Sequence, residues 1–72
     1  MKLNENLVAL RKKNHFTQVA VAKAVEVDLR AYKRYEYGER YPQLPVLVAL
    51  ANLYEISIDE LVGHEIGKNE YR

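Results

Sequence analysis

The chain has 72 residues, enough for one domain near the lower size limit for a self-supporting core, because domains this small bury only about 60% of their unfolded surface. A composition 49% hydrophobic and 29% charged excludes a disordered tail, and the absence of cysteine excludes both a disulfide framework and a thiolate metal site. The formal charge of +1 hides a division: residues 1–40 carry nine Lys or Arg against five acids, and residues 41–72 carry two against five, as a polyanion-binding front and an acidic rear would.

Apolar residues recur at helical spacing between short breaks and nowhere alternate as in a strand, so the spacing predicts an all-α fold of five helices. Leu3, Leu7 and Leu10 share one face of a first helix that ends in the polar run RKKNH, with Asn14 and His15 as the connection. Thr17 suits the N-cap of a second, Ala/Val-rich helix with Val21, Ala22 and Val25 facing inward. Asp28 can cap a third, LRAYKRYEY, closed by Gly38, and residues 38–43 form a loop. A fourth helix begins near Pro45 and buries Leu47, Leu50, Ala51 and Tyr54. Ser57 and Glu60 make a capping box for a fifth, IDELV, stopped by Gly63. This reading assigns residues 1–63 to one DNA-binding domain and leaves 64–72, HEIGKNEYR, as a polar tail.

At about 100° per residue, Tyr32 and Tyr35 fall on one face of the third helix, and Arg30, Lys33, Arg34 and Tyr37 fall around the opposite one. Leu29 and Ala31 lie on the flanks. A tyrosine face for the core and three exposed cations suit a helix presented to the major groove of DNA, where Arg and Lys can donate to guanine O6 and N7. Two short helices joined by a tight link, EVD, have the layout of a helix-turn-helix between about Thr17 and Tyr37.

The stretch FTQVAVAKAVEVDLRAYKRYEYGERYPQL resembles the phage-repressor, Cro-like (XRE-type) helix-turn-helix family. The shared pattern is Thr-Gln opening the second helix, Ala in its middle, an apolar residue in the turn, and Glu-x-Gly closing the third helix before a Pro-containing loop. With LRKK and ALANLYEISIDELVG the similarity extends over roughly residues 3–62. The resemblance implies sequence-specific binding of double-stranded DNA by a transcriptional regulator, a repressor. Under it, Thr17 and Gln18 contact backbone phosphate, Leu29, Arg30, Lys33 and Arg34 approach base edges, and Arg40 and Tyr41 reach the flanking backbone. It also implies an Arg11–Glu36 pair tying the first helix to the end of the third. Tyr32, Tyr35, Glu36 and Gly38 then hold the recognition helix in place. Four positions depart from the pattern: Glu26 stands where Gly is common, Asp28 for Ser or Thr, Ala20 for the residue completing a capping box with Thr17, and Gln43 for Ser or Thr before the fourth helix.

His15, His64 and the scattered carboxylates show no catalytic spacing, so no enzyme, cofactor or metal is expected. No apolar run approaches the roughly 20 residues of a membrane span, and MKLNENL lacks a signal-peptide layout, which makes a cytoplasmic location of bacterial or phage type the expectation. Because one recognition helix covers few base pairs, a homodimer on DNA is expected, with Ile58, Leu61, Val62 and Ile66 either its interface or core. The other reading is a protein-interaction module, such as the partner-binding half of a toxin-antitoxin pair.

Overall fold

Helix starts depend on side chains that satisfy amides the first turn cannot pair internally. In the computed structural model, which describes residues 2–63, α1 spans Lys2–Lys13, α2 Gln18–Ala24, α3 Leu29–Tyr37, α4 Leu44–Tyr54 and α5 Ile58–Val62. No strand occurs among the described residues. The Ala20 amide donates to Thr17 Oγ1 at 3.0 Å and the Ala31 amide to Asp28 Oδ1 at 2.8 Å. Before α5, the Glu60 amide donates to Ser57 Oγ and the Ser57 amide to Glu60 Oε1, both at 3.0 Å, forming a full capping box. Gln43 makes no side-chain cap bond, and α4 instead starts with Pro45 in its first turn, where the fixed φ suits a helix.

The helix ends follow one scheme. A left-handed residue closes α1 (His15, φ 60°), α2 (Glu26, φ 62°), α3 (Gly38, φ 78°) and α4 (Glu55, φ 57°). The amide after each reaches back to close the last turn: Phe16 to Arg11 O at 3.0 Å, Val27 to Ala22 O at 3.0 Å, Glu39 to Arg34 O at 2.9 Å and Ile56 to Ala51 O at 3.0 Å. In three of the four the next residue is apolar and the one after it is an N-cap, giving His15-Phe16-Thr17, Glu26-Val27-Asp28 and Glu55-Ile56-Ser57. The α1–α2, α2–α3 and α4–α5 junctions are therefore the same three-residue corner. The α3–α4 connection uses Gly38, whose position leaves only 3.3 Å between an added Cβ and Asn4 Nδ2, and then runs open through residues 39–43.

Every helix contributes to the interior. Leu3 and Leu7 come from α1, Val21 and Ala22 from α2 with Val25 just after it, Tyr32 and Tyr35 from α3, Leu47, Leu50 and Ala51 from α4, and Leu61 and Val62 from α5. α1 lies against α3 and α5, α2 against α3, and α4 against α5. Asn6 Nδ2 donates to Leu61 O at 2.9 Å, occupying a carbonyl that the short α5 leaves without an internal partner. Leu10 and Tyr54 are half-buried at the margin of this core.

Leu61 and Val62, 0% and 2% exposed, fill the core, the second of the two placements the sequence left open for them. Five residues are too few for periodicity to tell an inward from an outward apolar face. Ile58 is half-buried against the same core, and Ile66 lies outside the described residues. No described helix is long and apolar enough to cross a membrane.

Candidate nucleic-acid interface

The corner Glu26-Val27-Asp28 sets the angle between α2 and α3. Its left-handed Glu26 reverses the chain, the Val27 amide bonds back to α2, and the Asp28 carboxylate opens α3. Glutamate adopts this conformation less readily than glycine, so two backbone bonds and the half-buried Val27 must hold it there. On the inner side of α3, Tyr32 and Tyr35 meet edge to face with ring centroids 6.3 Å apart.

One turn beyond Tyr32 stands Glu36, a carboxylate only 5% exposed. Arg11 grips it with two bonds, Nε to Oε2 at 2.6 Å and Nη2 to Oε1 at 3.1 Å, and donates a third from Nη1 to Phe16 O at 3.2 Å. Gln18 Nε2 donates to Oε1 at 3.0 Å, and the Tyr32 hydroxyl donates to Oε2. The pair implied by the Arg11–Glu36 resemblance is thus the centre of a four-donor cluster joining α1, α2 and α3. Burial pushes the Glu36 carboxyl up, but hydrogen bonds from Arg11, then Tyr32 and Gln18, outweigh it and hold the group below the usual carboxylate range. Arg11 is raised by its bond to Glu36, and Tyr32 is pushed well up by burial and then by Glu36. Tyr54, whose ring lies 6.1 Å from that of Phe16, is pushed up to about 12 by burial.

The outer side of α3 is chemically different. Arg30 and Arg34 are exposed and Lys33 is half-buried, with exposed Arg40 following in the loop. None of these four makes a hydrogen bond or ion pair among the described residues. Tyr37 and Tyr41 are exposed beside them, and Leu29 is half-buried against the core. The Thr17 hydroxyl accepts the Ala20 amide, while one hydrogen of Gln18 Nε2 goes to Glu36 and the other stays available. The Gln18 and Tyr32 bonds to Glu36 go beyond what the sequence led us to expect. Tyr32 and Glu36 are four apart on one helix face, which is a usable signal, whereas nothing local announces Gln18. No group of three or more His, Asp or Glu among the described residues could hold a metal ion.

This arrangement agrees with what the chain is similar to. A Helix-turn-helix family model matches residues 7–61, from the middle of α1 into α5. The chain belongs to the helix-turn-helix family, in its XRE-type form. This XRE-type chain is 44% identical over 63 residues to the cryptic phage CTXphi transcriptional repressor RstR of Vibrio cholerae serotype O1, a match covering 88% of this chain and 56% of that protein. It is 36% identical over 61 residues to the HTH-type transcriptional regulator AnsR of Bacillus subtilis, covering 85% of this chain and 53% of that protein. The crystal structure of a transcriptional regulator from Listeria innocua superposes with a TM-score of 0.81 at 36% identity, over 85% of this chain and 57% of that one. The chain spans about half the length of the curated relatives it matches.

Proposed function

We propose that this chain binds double-stranded DNA as the reading domain, residues 1–63, of a transcriptional repressor, with α3 entering the major groove. The observation that carries this reading is the division of α3 between a face locked into the core and a face of cations without partners among the described residues. A groove walled by phosphates attracts such a face, and its floor offers acceptors to Arg and Lys. Leu29, Arg30, Lys33 and Arg34 are the residues assigned to base edges, with Leu29 limited to apolar contact such as a thymine methyl. The spare hydrogen of Gln18 and the amides at the start of α2 suit a backbone phosphate, and Arg40 and Tyr41 suit the flanking backbone. Kinship with named transcriptional regulators, a phage repressor among them, supports the same reading.

A gel shift over a salt series tests it. Affinity falling steeply with salt is expected, and indifference to duplex DNA at low salt would sink the reading. Two copies related by a two-fold would read half-sites about 34 Å apart. Sedimentation with and without bound duplex checks that arrangement, for which a strict monomer in both is the contrary result.

A further inference from the structure

Gln18, the first residue of α2, is half-buried and gives one amide hydrogen to Glu36 Oε1 at 3.0 Å. The carboxylate that receives it is itself held in place. Arg11 Nε and Nη2 fork onto its two oxygens, and the Tyr32 hydroxyl takes a second site on Oε2. With Gln18, these donors fill the roughly four lone-pair sites that a carboxylate offers. An ionised carboxylate accepts and never donates, so the end of the Gln18 amide that faces it must be the nitrogen. Turning the amide over would set two oxygens against each other. The bond therefore fixes the roll of this amide before any ligand arrives, and with it the side on which the second hydrogen lies. Gln43, the other glutamine of the chain, is exposed and makes no side-chain cap bond.

We propose that Glu36 is a positioning residue for DNA binding: clamped by Arg11, it sets the Gln18 amide so that the second hydrogen meets a backbone phosphate on contact. The inference rests on the DNA-binding reading and deepens it. A buried carboxylate thereby acts on a ligand it never touches. An unrestrained glutamine loses rotamer freedom when an interface orders it, whereas a side chain ordered beforehand does not. The charge of Glu36 works the other way, since an anion behind the interface repels phosphate, an effect that paired Arg11 offsets in part. Removing that anion would tighten binding if charge ruled and weakens it if orientation rules. The two effects have opposite signs and can be told apart.

Gln18→Ala, Glu36→Gln and the double variant, each shown folded by circular dichroism, would be measured against one duplex that the wild type selects from a random-sequence pool. Glu36→Gln should weaken binding of this duplex about fivefold and leave the preferred sequence unchanged. In the Gln18→Ala background the same change should cause no further loss, because the side chain it positions is gone. An equal loss in both backgrounds, or tighter binding by Glu36→Gln alone, overturns the assignment. Glu36→Gln also removes support from the fold, so the free wild type supplies an independent measurement. NMR relaxation of side-chain amides should find Gln18 as ordered as the backbone of α2 and Gln43 mobile; a Gln18 amide as mobile as that of Gln43 overturns the positioning while leaving the DNA reading intact. A wild type that selects no duplex at low salt removes the DNA reading and this inference with it, even where the Gln18 amide proves ordered.

Discussion

On the inward side of α3 a single carboxylate, Glu36, is held by donors from α1, α2 and α3 itself. On the outward side Arg30, Lys33 and Arg34 have no acceptor within the described residues. The two sides show one nine-residue helix holding a fully partnered carboxylate on its buried face and, among the described residues, unpartnered cations on its outer one. Inside, low dielectric makes each lost partner expensive; outside, water supplies what the protein does not.

The sharpest way to break that contrast is Arg11→Ala, which leaves Glu36 buried without its cation and should cost about 3 kcal/mol in denaturant unfolding. Tyr32→Phe removes one donor while keeping the ring, and about 2 kcal/mol is expected by the same measurement. Acid should act on the same cluster. Because the Glu36 carboxyl titrates in the folded chain below its usual value of 4.5, the stability it contributes is complete above that value and is lost as pH falls through the lower folded one. Unfolding followed from neutral to acid pH should show this limb, and Glu36→Gln should flatten it; an equally steep limb in that variant would assign the acid sensitivity elsewhere.

Smaller effects lie at the corner and on the outer face. Glu26→Gly relieves a left-handed side chain and should stabilise by roughly 0.5–1 kcal/mol, readable as a raised thermal midpoint. Arg34→Ala should move stability by no more than about 0.5 kcal/mol, since its side chain is exposed and makes no bond among the described residues. A larger loss would mean that the outer face also supports the fold.

Local chemistry made most of the fold legible. Asp28, the Ser57–Glu60 box and Gly38 act within a few residues of where they stand, so their spacing carries the signal. Glu26 was visible as a departure from glycine, but Glu55, equally left-handed, gave no such cue, because nothing near it marks the end of α4 until the backbone is seen. Long-range ties were out of reach: Asn6 meets the Leu61 carbonyl 55 residues away, and Gln18 meets Glu36 18 residues away, through side chains whose local role is plain polarity. The outward cations of α3 followed from helical periodicity, yet the hollow that Arg30 and Arg34 share with Arg40 depends on the path of the loop, which no periodicity encodes.

The three repeated corners bear on how this domain meets a ligand. Each fixes the turn between two helices with its own backbone bonds and cap, so α2 and α3 hold their mutual angle before anything binds. Association then orders few dihedrals and loses mainly rigid-body freedom and exposed side-chain rotamers. Calorimetry should accordingly return a heat-capacity change that tracks the surface removed from water at the contact, and not the greater change seen when a chain folds as it binds.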